Sequence, residues 1–428
     1  MRDNPKTHGL WEMTAPPAPE TSPLRAEVRV DVAVIGAGYA GLAAALRLSG
    51  AGARVAVVEA QGVGFGGAGR NVGLVNAGLW VMPDALVATL GTERGERLLA
   101  LLADAPQQVF DLIARHDIPC EAVRAGTLHC AVGASGRAEI EERAAQWQKR
   151  GAPVRLLDAA ATGAAVGGGS YSGALLDLRA GTLQPLAYAR GLASAALATG
   201  AEIFTESPAR AVEQAGARWM VRTDTGALDA DWIVVASDAY SSGPWAELRR
   251  EQVPLPYFNF ATAPLPESVL RGILPGRQGA WDTRQVLSSF RLDRAGRLVF
   301  GSIGALTPAS GAIHAAYARR ALKRIYPGLE PGPFVAGWYG TIGMTSDALP
   351  RFHRIGRNVI AVSGYNGRGI GPGTVFGGLL ADLVLGRIGE QDVPLPPVPV
   401  VRPRWRAARA AAYAAGSSLA HLVGARRG

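Results

Sequence analysis

The sequence has only two cysteines, Cys120 and Cys130, in 428 residues. Two cysteines at this spacing provide neither a disulfide framework nor the paired ligands of a structural zinc site. We therefore predict that both are packing residues and that the protein binds no metal.

Long apolar runs are also missing. No stretch reaches the ~18 residues that a membrane-spanning helix needs, and residues 34–46 are interrupted by glycines. Residues 1–23 are polar and rich in proline, without the charged and then apolar order of a secretion signal. These absences predict a soluble, cytoplasmic protein with no transmembrane segment.

Lysine is scarce, and acidic residues are absent from the C-terminus. Lys6, Lys149 and Lys323 are the only lysines among 44 basic residues, and the formal charge is +9. Six arginines lie in the last 28 residues, which contain no Asp or Glu, so the rest of the chain carries only +3. Because no basic stripe appears elsewhere, we expect no nucleic-acid partner.

The basic tail also has an apolar side. A helix through the tail would place six residues on one face: Trp405, Ala408, Ala412, Ala415, Leu419 and Leu422. This face predicts that the tail docks on the protein's own surface. The alternative is an address for a membrane or RNA.

A dinucleotide-binding pattern lies near the start of the chain. Residues 30–35 are almost continuously apolar, as in a parallel strand covered on both faces, and three glycines follow at fingerprint spacing. A helical stretch and a second apolar strand, residues 54–58, lead to an acid that can accept hydrogen bonds from ribose hydroxyls. This acid disfavours a 2′-phosphate and leaves NAD and FAD as alternatives. The predicted cofactor-binding residues are Gly36, Ala37, Gly38, Ala40, Gly41, Glu59, Ala60 and Gln61.

Two more glycine-rich stretches favour a flavin. Residues 62–78 follow the ribose-binding acid, and their many glycines predict close approach of backbone to a bulky flat group rather than a flexible loop. The turn at residues 364–373 lies between a predicted strand, 358–363, and an apolar helix, 374–385. The positive end of that helix would stabilise charge near N1 of a reduced flavin, although ordinary βα turns look similar. The predicted contacts are Gly69, Arg70, Asn71, Gly364, Asn366, Gly367, Gly369 and Ile370.

The remaining patterns predict a second domain interleaved with the first. Helical periodicity dominates residues 83–150, and strand-like runs occur at 257–262, 285–292 and 297–302. We expect residues 1–29 to form an extended N-terminal arm and residues 391–428 a basic C-terminal tail. The cofactor domain is predicted to comprise 30–82, 190–245 and 340–390, and the substrate or cap domain 83–189 and 246–339.

Several short sequence motifs follow one another in a specific order along nearly the whole chain. They are residues 34–59, 69–71, 234–240, 282–284 with 290–291, 338–340, 345–347 with 350, and 364–369. In this order they resemble the FAD-dependent D-amino-acid oxidase and glycine oxidase superfamily, in particular its γ-glutamylputrescine oxidoreductase-like branch. The resemblance implies an α/β fold in which an FAD-binding Rossmann-type, glutathione-reductase-like domain is interleaved with an antiparallel-sheet substrate or cap domain.

The resemblance also bears on how the cofactor is held. It implies Gly340 as a further cofactor contact. Relatives that attach flavin covalently use a cysteine or histidine beside the ring, and residues 69–78 contain neither. We therefore expect noncovalent FAD.

The substrate class follows from a missing arginine. Members of the family that act on small amino acids place an arginine just after the Trp-x-Gly word, whereas here Thr341 and Ile342 follow, and residues 326–350 contain no Arg or Lys. This disfavours a carboxylate clamp from that segment. We expect oxidation of a primary or secondary amine to an imine by hydride transfer to flavin, followed by hydrolysis.

Three alternatives stay open: a D-amino acid or glycine/sarcosine-type oxidase, an NAD-dependent dehydrogenase, and a flavin-containing protein addressed to a membrane or RNA by its tail. Residues 297–301 lack the lysine that activates oxygen in some relatives, so oxygen and another electron acceptor are both possible. The oligomeric state is not predicted. The candidate catalytic or substrate-facing residues are Arg70, Tyr257, Asn259, Arg291, Trp338, Tyr339 and His353.

Overall fold

The computed structural model describes residues 8–423 of the chain. Its strands, in chain order, are β1 (Glu27–Ile35), β2 (Val55–Val58), β3 (Leu74–Val75), β4 (Thr127–Ala131), β5 (Val154–Leu157), β6 (Gly173–Asp177), β7 (Gly181–Thr182), β8 (Glu202–Phe204), β9 (Ala211–Ala215), β10 (Arg218–Arg222), β11 (Ala227–Val235), β12 (Val253–Ala261), β13 (Gly279–Asp282), β14 (Ser288–Leu292), β15 (Leu298–Ile303), β16 (Ala336–Met344), β17 (Arg351–Gly356) and β18 (Val359–Ser363).

The helices lie on and between the sheets that these strands form. They are α1 (Leu10–Thr14), α2 (Tyr39–Ser49), α3 (Pro83–Leu90), α4 (Thr92–Arg115), α5 (Gly133–Gln148), α6 (Ala159–Val166), α7 (Pro185–Ala198), α8 (Ala246–Arg250), α9 (Glu267–Leu270), α10 (Gly311–Ile325), α11 (Ile370–Val384) and α12 (Arg406–Val423). Within residues 8–423, no helix is long and apolar enough to cross a membrane.

The first sheet confirms the Rossmann-type expectation. Its order is β17-β18-β11-β1-β2-β8, and β9 and β10 extend it as a hairpin beside β11. β1 pairs in parallel with both β2 and β11, which places Val34 between Val57 and Val234. All three side chains are buried. Continuous apolar strands are typical of a parallel sheet covered on both faces, and here α2, α7 and α11 pack together in the layer beside it.

The second sheet has the order β16-β12-β15-β14-β13-β4-β6-β5. Its pairs are antiparallel except for β4 with β13, which are parallel. The strand-like runs predicted from the sequence appear as β12, β14 and β15. β4 lies inside residues 83–150, where the sequence predicted helices, and so this strand was not predicted. Its five residues are all buried, and between two longer helices they give only a weak alternation of apolar and polar residues.

Two of the predicted segment limits fall inside regular elements. Residue 190 lies within α7, and residue 340 lies within β16. Both elements run without interruption between the regions assigned to the two domains. β16 belongs wholly to the second sheet, and α7 packs on α2 beside the first sheet, so each predicted limit cuts through a single element.

Residues 8–14 of the N-terminal arm pack on the protein instead of forming an extended segment. Residues 10–14 form the short helix α1, and Trp11 is completely buried. Its indole Nε1 donates to the carbonyl of Asn71 at 2.9 Å. Its ring packs edge to face against that of Trp338, with 5.4 Å between the ring centroids. The prolines indicated an extended arm, but burial of Leu10 and Trp11 overrides that local preference.

The C-terminal tail docks on the protein itself, as predicted, but through a different face. Ser417 and His421 are buried, whereas Trp405 is 80% exposed and Leu419 62% exposed. The apolar face predicted from the sequence is therefore the exposed side of α12. The docked side consists of small and polar residues, which do not appear in an apolar periodicity.

A histidine pair fixes α12 to α10. Nδ1 of His421 lies 2.9 Å from Nδ1 of His314, which requires one ring to donate and the other to accept. The ring of His421 also stacks on Tyr317 at 3.9 Å, and its carbonyl accepts from Arg320. Burial lowers the pKa of His314 to about 4 and that of His421 to about 3.

We predict that α12 undocks on acidification. Because both folded pKa values lie below the ordinary value of 6.5, docking is most stable above pH 6.5 and loses stability as the pH falls toward 4. Amide hydrogen exchange of residues 406–423, corrected for the intrinsic pH dependence, should accelerate at least about tenfold between pH 7 and pH 5. The increase in exchange rate between pH 7 and pH 5 should be smaller in His421→Phe, because this variant keeps an aromatic ring but loses the titrating imidazole. Equal corrected rates at the two pH values would contradict this account.

Candidate active site

A cavity of about 750 Å³ lies between the two sheets. The turn after β1, the loop after β2, strands β12 and β16, the loop before α11, and the inner side of α12 all line it. Of the sequence-predicted residues, those that line it are Gly36, Gly38, Ala40, Glu59, Ala60, Arg70, Asn71, Tyr257, Gly340, Asn366, Gly367, Gly369 and Ile370.

One end of the cavity is a backbone cradle at the start of α2. Gly36 has a φ of 106°, a conformation that strongly favours glycine. A Cβ at Gly41 would lie 2.0 Å from the carbonyl oxygen of Gly36, so only glycine lets the helix close on the strand. Gly38 caps the helix N-terminus and lines the cavity. The cradle therefore presents the positive end of a helix to an anionic group such as a pyrophosphate.

Glu59 stands at the end of β2, where the sequence placed a ribose acceptor. Its carboxylate accepts from the backbone N–H of Ala37 at 2.9 Å and of Gln61 at 3.0 Å. Ala37 and Gln61 do not line the cavity, so their contribution is to orient this carboxylate. Burial raises the pKa of Glu59.

Arg70 is the most exceptional cofactor candidate. Its side chain is 6% exposed, and buried Nε and Nη2 have no hydrogen-bond partner. The guanidinium lies over the ring of Phe65 at 4.5 Å, and burial lowers its pKa. Unpaired buried donors are costly. They therefore indicate an acceptor that the protein chain does not itself supply.

Asn259 and Trp338 position Arg70 and do not line the cavity. Asn259 Nδ2 and Trp338 Nε1 each donate to the carbonyl of Arg70 at 3.1 Å. Both side chains are buried behind it. Their N–H donors are thus used on the backbone of the loop and are not available to a substrate.

Asn71 and Gly69 stabilise the same loop. The Asn71 side-chain amide donates to the carbonyls of Gly67 and Ala68, and its oxygen accepts from the N–H of Gly73 at 2.9 Å. A Cβ at Gly69 would lie 2.5 Å from the carbonyl oxygen of Gly64. The glycines here serve the close packing of the loop on itself as well as access to the cavity.

The loop before α11 forms a second cradle. The N–H of Gly364 donates to Asp238 at 2.7 Å, which ties the loop to the residues after β11. Asn366 and Gly367 have φ values of 52° and 85°. The helix begins at Ile370, four residues earlier than the sequence predicted, with Gly369 as its cap. A second positive helix end therefore faces the cavity.

Aromatic and small residues form the other end of the cavity. Tyr257 contributes its ring while its hydroxyl pairs with Ser289 at 2.7 Å. The rings of Trp80 and Trp281 pack edge to face, with 4.9 Å between their centroids. Tyr413 and neighbouring small residues of α12 complete the wall, so the docked tail encloses this end.

Three further candidates, besides Asn259 and Trp338, lie outside the cavity. Arg291 is 1% exposed and lies over the ring of Trp11 at 5.1 Å. His353 on β17 is held by the Val398 carbonyl and by Glu251, 2.9 Å from its Nε2. Tyr339 packs against the core of the second domain. These residues were candidates because they lie on strands or turns next to the cofactor-binding segments, but their side chains project to other faces.

Sequence reasoning missed Arg368, Trp80 and Trp281 as cavity residues. Trp80 and Trp281 come from segments 200 residues apart, and no local spacing connects them. Arg368 stands within the glycine turn whose other members were predicted. Its charge inside that turn was the signal that could have singled it out.

The donors suit a dinucleotide flavin. Two helix N-termini face the cavity, an oriented carboxylate stands at the end of β2, and the unpartnered nitrogens of Arg70 lie between these cradles and the second sheet. The N-terminus of α2 would hold the phosphates, Glu59 the ribose hydroxyls, and the N-terminus of α11 together with Arg70 the ring system.

Comparison with known proteins agrees with this geometry. The FAD dependent oxidoreductase family model matches residues 31–383. The chain is 30% identical over 393 residues to probable oxidoreductase OrdL of Rhizobium meliloti (strain 1021), covering 90% of each protein. It is also 30% identical over 369 residues to gamma-glutamylputrescine oxidoreductase of Escherichia coli (strain K12), covering 85% of each.

Solved structures show the same fold at lower identity. Glycine oxidase from Geobacillus kaustophilus superposes with a TM-score of 0.69 and 21% identity, over 84% of this chain and 96% of that one. L-amino acid deaminase from Proteus vulgaris, in a form with its specific insertion sequence deleted, gives a TM-score of 0.71 and 18% identity, over 92% of this chain and 98% of that one. The cofactor is FAD, and the chain belongs to the FAD dependent oxidoreductase family.

Proposed function

We propose that this enzyme oxidises a primary or secondary amine at its CH–NH group to an imine, which water then hydrolyses to a carbonyl compound and an amine or ammonia. The observation that carries the proposal is the aromatic end of the cavity, which is continuous with the two cofactor cradles. The curated relative that acts on γ-glutamylputrescine, by its name, supports an amine.

When bound, FAD would supply the hydride acceptor for the amine carbon, and the chain supplies binding, orientation and electrostatics. Trp80, Trp281 and Leu255 present apolar surface that excludes water from the reacting end. Arg70 and Arg368 place positive charge on the same cavity. Like charge lowers the pKa of a bound amine and favours its neutral form, which has the free electron pair that oxidation needs.

Arg70 has a second role in the proposal. Its unpartnered Nε and Nη2 donors would balance negative charge on the reduced cofactor, since a guanidinium in a buried site interacts strongly with such charge. Asn259 and Trp338 are positioning residues because they hold the Arg70 carbonyl. No protein base is required in this scheme.

Attachment of FAD is proposed to be noncovalent. Cys120 and Cys130 are buried and lie away from the cavity lining. Burial raises the pKa of both thiols, that of Cys120 to about 12, so neither is a ready nucleophile. Oxygen or another electron acceptor would reoxidise the cofactor.

Loss of the Glu59 carboxylate should weaken FAD binding without unfolding the protein. Removing hydrogen bonds to a charged group is expected to cost about 1 to 3 kcal/mol, or roughly 5- to 150-fold in the dissociation constant. Titration of Glu59→Ala apoprotein with FAD measures this. Glu202→Ala, at the exposed start of β8, is the control. Unchanged affinity in Glu59→Ala would remove Glu59 from the cofactor site.

Simple α-amino acids should be poor substrates. No Arg or Lys occurs in residues 326–350, so this segment offers no guanidinium partner to a carboxylate next to the reacting carbon. Arg291 is unable to substitute because it lies outside the cavity. Anaerobic mixing should show that polyamine-derived or arylalkyl amines bleach the bound flavin faster than glycine, sarcosine and D-alanine do. The opposite order would favour an amino acid oxidase.

A further inference from the structure

One wall of the cavity is supplied by α12, which lies beyond residues 31–383, the part of the chain that the family model matches. The residues of α12 that line the cavity are Ala412, Tyr413, Gly416, Ser417 and Ala420. At one end of the helix, Arg406 Nε donates to the carbonyl of Gln252 at 2.7 Å, and at the other end His421 pairs with His314. Contacts near both ends therefore hold the helix against the cavity.

The side chains that α12 presents to the cavity are mostly small. Ala412, Gly416 and Ala420 follow one another at intervals of four residues, and residues at this spacing lie on one face of a helix. A Cβ at Gly416 would meet open space, without a contact inside 4 Å. Glycine is a poor helix former, so the helix itself gains nothing from it. The missing side chain leaves room in the cavity.

The second sheet contributes apolar side chains beside this helix. Leu255 and Tyr257 lie two residues apart on β12, and Tyr257 is paired with Ile303 on β15. Residues in these relations project from the same face of a sheet, and all three line the cavity. α12 packs against β12. Leu255, Tyr257 and Ile303, together with the three small residues of α12, therefore form an apolar slot where the helix meets the sheet.

The apolar slot lies beside Arg70. Tyr257 is also paired with Gly340 on β16, and a Cβ at Gly340 would lie 3.1 Å from the Cβ of Arg70. Arg70 therefore stands on the face of the sheet from which Tyr257 projects. Its buried Nε and Nη2, which have no partner, are the proposed contacts of the reduced cofactor. A group bound in the apolar slot is thus next to the proposed reacting end.

The cavity offers no free carboxylate to a second ammonium group. Among residues 8–423, Glu59 and Asp238 are the only acids on its lining. Each of them accepts a backbone N–H from a cofactor-binding segment. A buried ammonium group without a counter-charge is unfavourable, and the positive charge of Arg70 on the same cavity adds to the cost. The lining therefore disfavours diamines.

We propose that the enzyme acts on monoamines that carry a bulky apolar group, such as an aromatic ring, and that Gly416 determines this specificity because its missing side chain makes room for the group. The inference rests on the proposed amine oxidation and names its substrate class. Predominantly apolar walls with few polar groups are typical of sites for such ligands. The ring of Tyr257 offers an aromatic surface against which the group can pack.

Three amines test the size and the charge that the apolar slot accepts. Anaerobic flavin bleaching of the holoenzyme is recorded with 2-phenylethylamine, ethylamine and butane-1,4-diamine. In wild type, the second-order rate constant of flavin reduction should be at least about tenfold higher with 2-phenylethylamine than with either other amine. Gly416→Leu should lower the rate constant for 2-phenylethylamine at least about tenfold more than that for ethylamine, because the new side chain fills the slot.

Matched variants separate the slot from the helix as a whole. Ala415→Leu is the control, because Ala415 is exposed on the same helix and does not line the cavity. Gly416→Ala adds one methyl group and should give a smaller loss than Gly416→Leu. Flavin absorbance shows that each variant keeps its cofactor. Faster reduction by butane-1,4-diamine than by 2-phenylethylamine in wild type, or equal losses for the two monoamines in Gly416→Leu, overturns the inference.

A ligand without an amine distinguishes failure of the slot from failure of the proposed oxidation. If no amine bleaches the flavin, the proposed oxidation is rejected, and binding of 2-phenylethanol to the holoenzyme is then followed through the flavin spectrum. Weaker binding by Gly416→Leu than by Ala415→Leu supports the apolar slot as a binding site. Equal binding by the two variants overturns it.

Discussion

The structure depends on one close approach, that of Gly41 to the carbonyl of Gly36. With only hydrogen in place of a side chain, α2 closes on β1 and its N-terminus faces the cavity. The same contact sets the position of Ala37, whose N–H orients the Glu59 carboxylate. Dinucleotide binding follows from this local geometry, because a helix end and an oriented acid are brought together by a single turn.

The second half of the site depends on long-range packing. The carbonyl of Arg70 is held by Asn259 and Trp338 from two neighbouring strands, and Trp338 in turn meets Trp11 of the N-terminal helix. The backbone at Arg70 is therefore fixed by residues from three other parts of the chain. This arrangement keeps a buried cation in a defined position without an ion pair, as a preorganised charge requires.

Local patterns predicted the cofactor domain because its determinants are local. The strand, glycine turn, helix and acid all lie within residues 30–61. The sequence motifs shared with the family predicted FAD and the overall architecture. The substrate end was less predictable. Asn259, Arg291 and His353 are polar residues on strands, and which face each occupies depends on register and twist that the sequence does not encode locally. Arg368, Trp80 and Trp281, which all line the cavity, come from segments distant in sequence.

The tail shows the same limit. Its helix and its docking were predicted, but the docked side carries Ser417 and His421 rather than the apolar stripe. Polar contacts to His314 and Arg320 decide the orientation. A periodic apolar pattern therefore identified the helix and misassigned its buried side.

The central claim is that this cavity holds both halves of FAD, with the adenosine half bound at the α2 cradle and Glu59. Calorimetric titration of the apoprotein with FAD and with FMN, which lacks that half, tests it most directly. We predict that FAD binds at least about 100-fold more tightly, a difference of about 2.7 kcal/mol. Affinities within tenfold of each other would contradict the account.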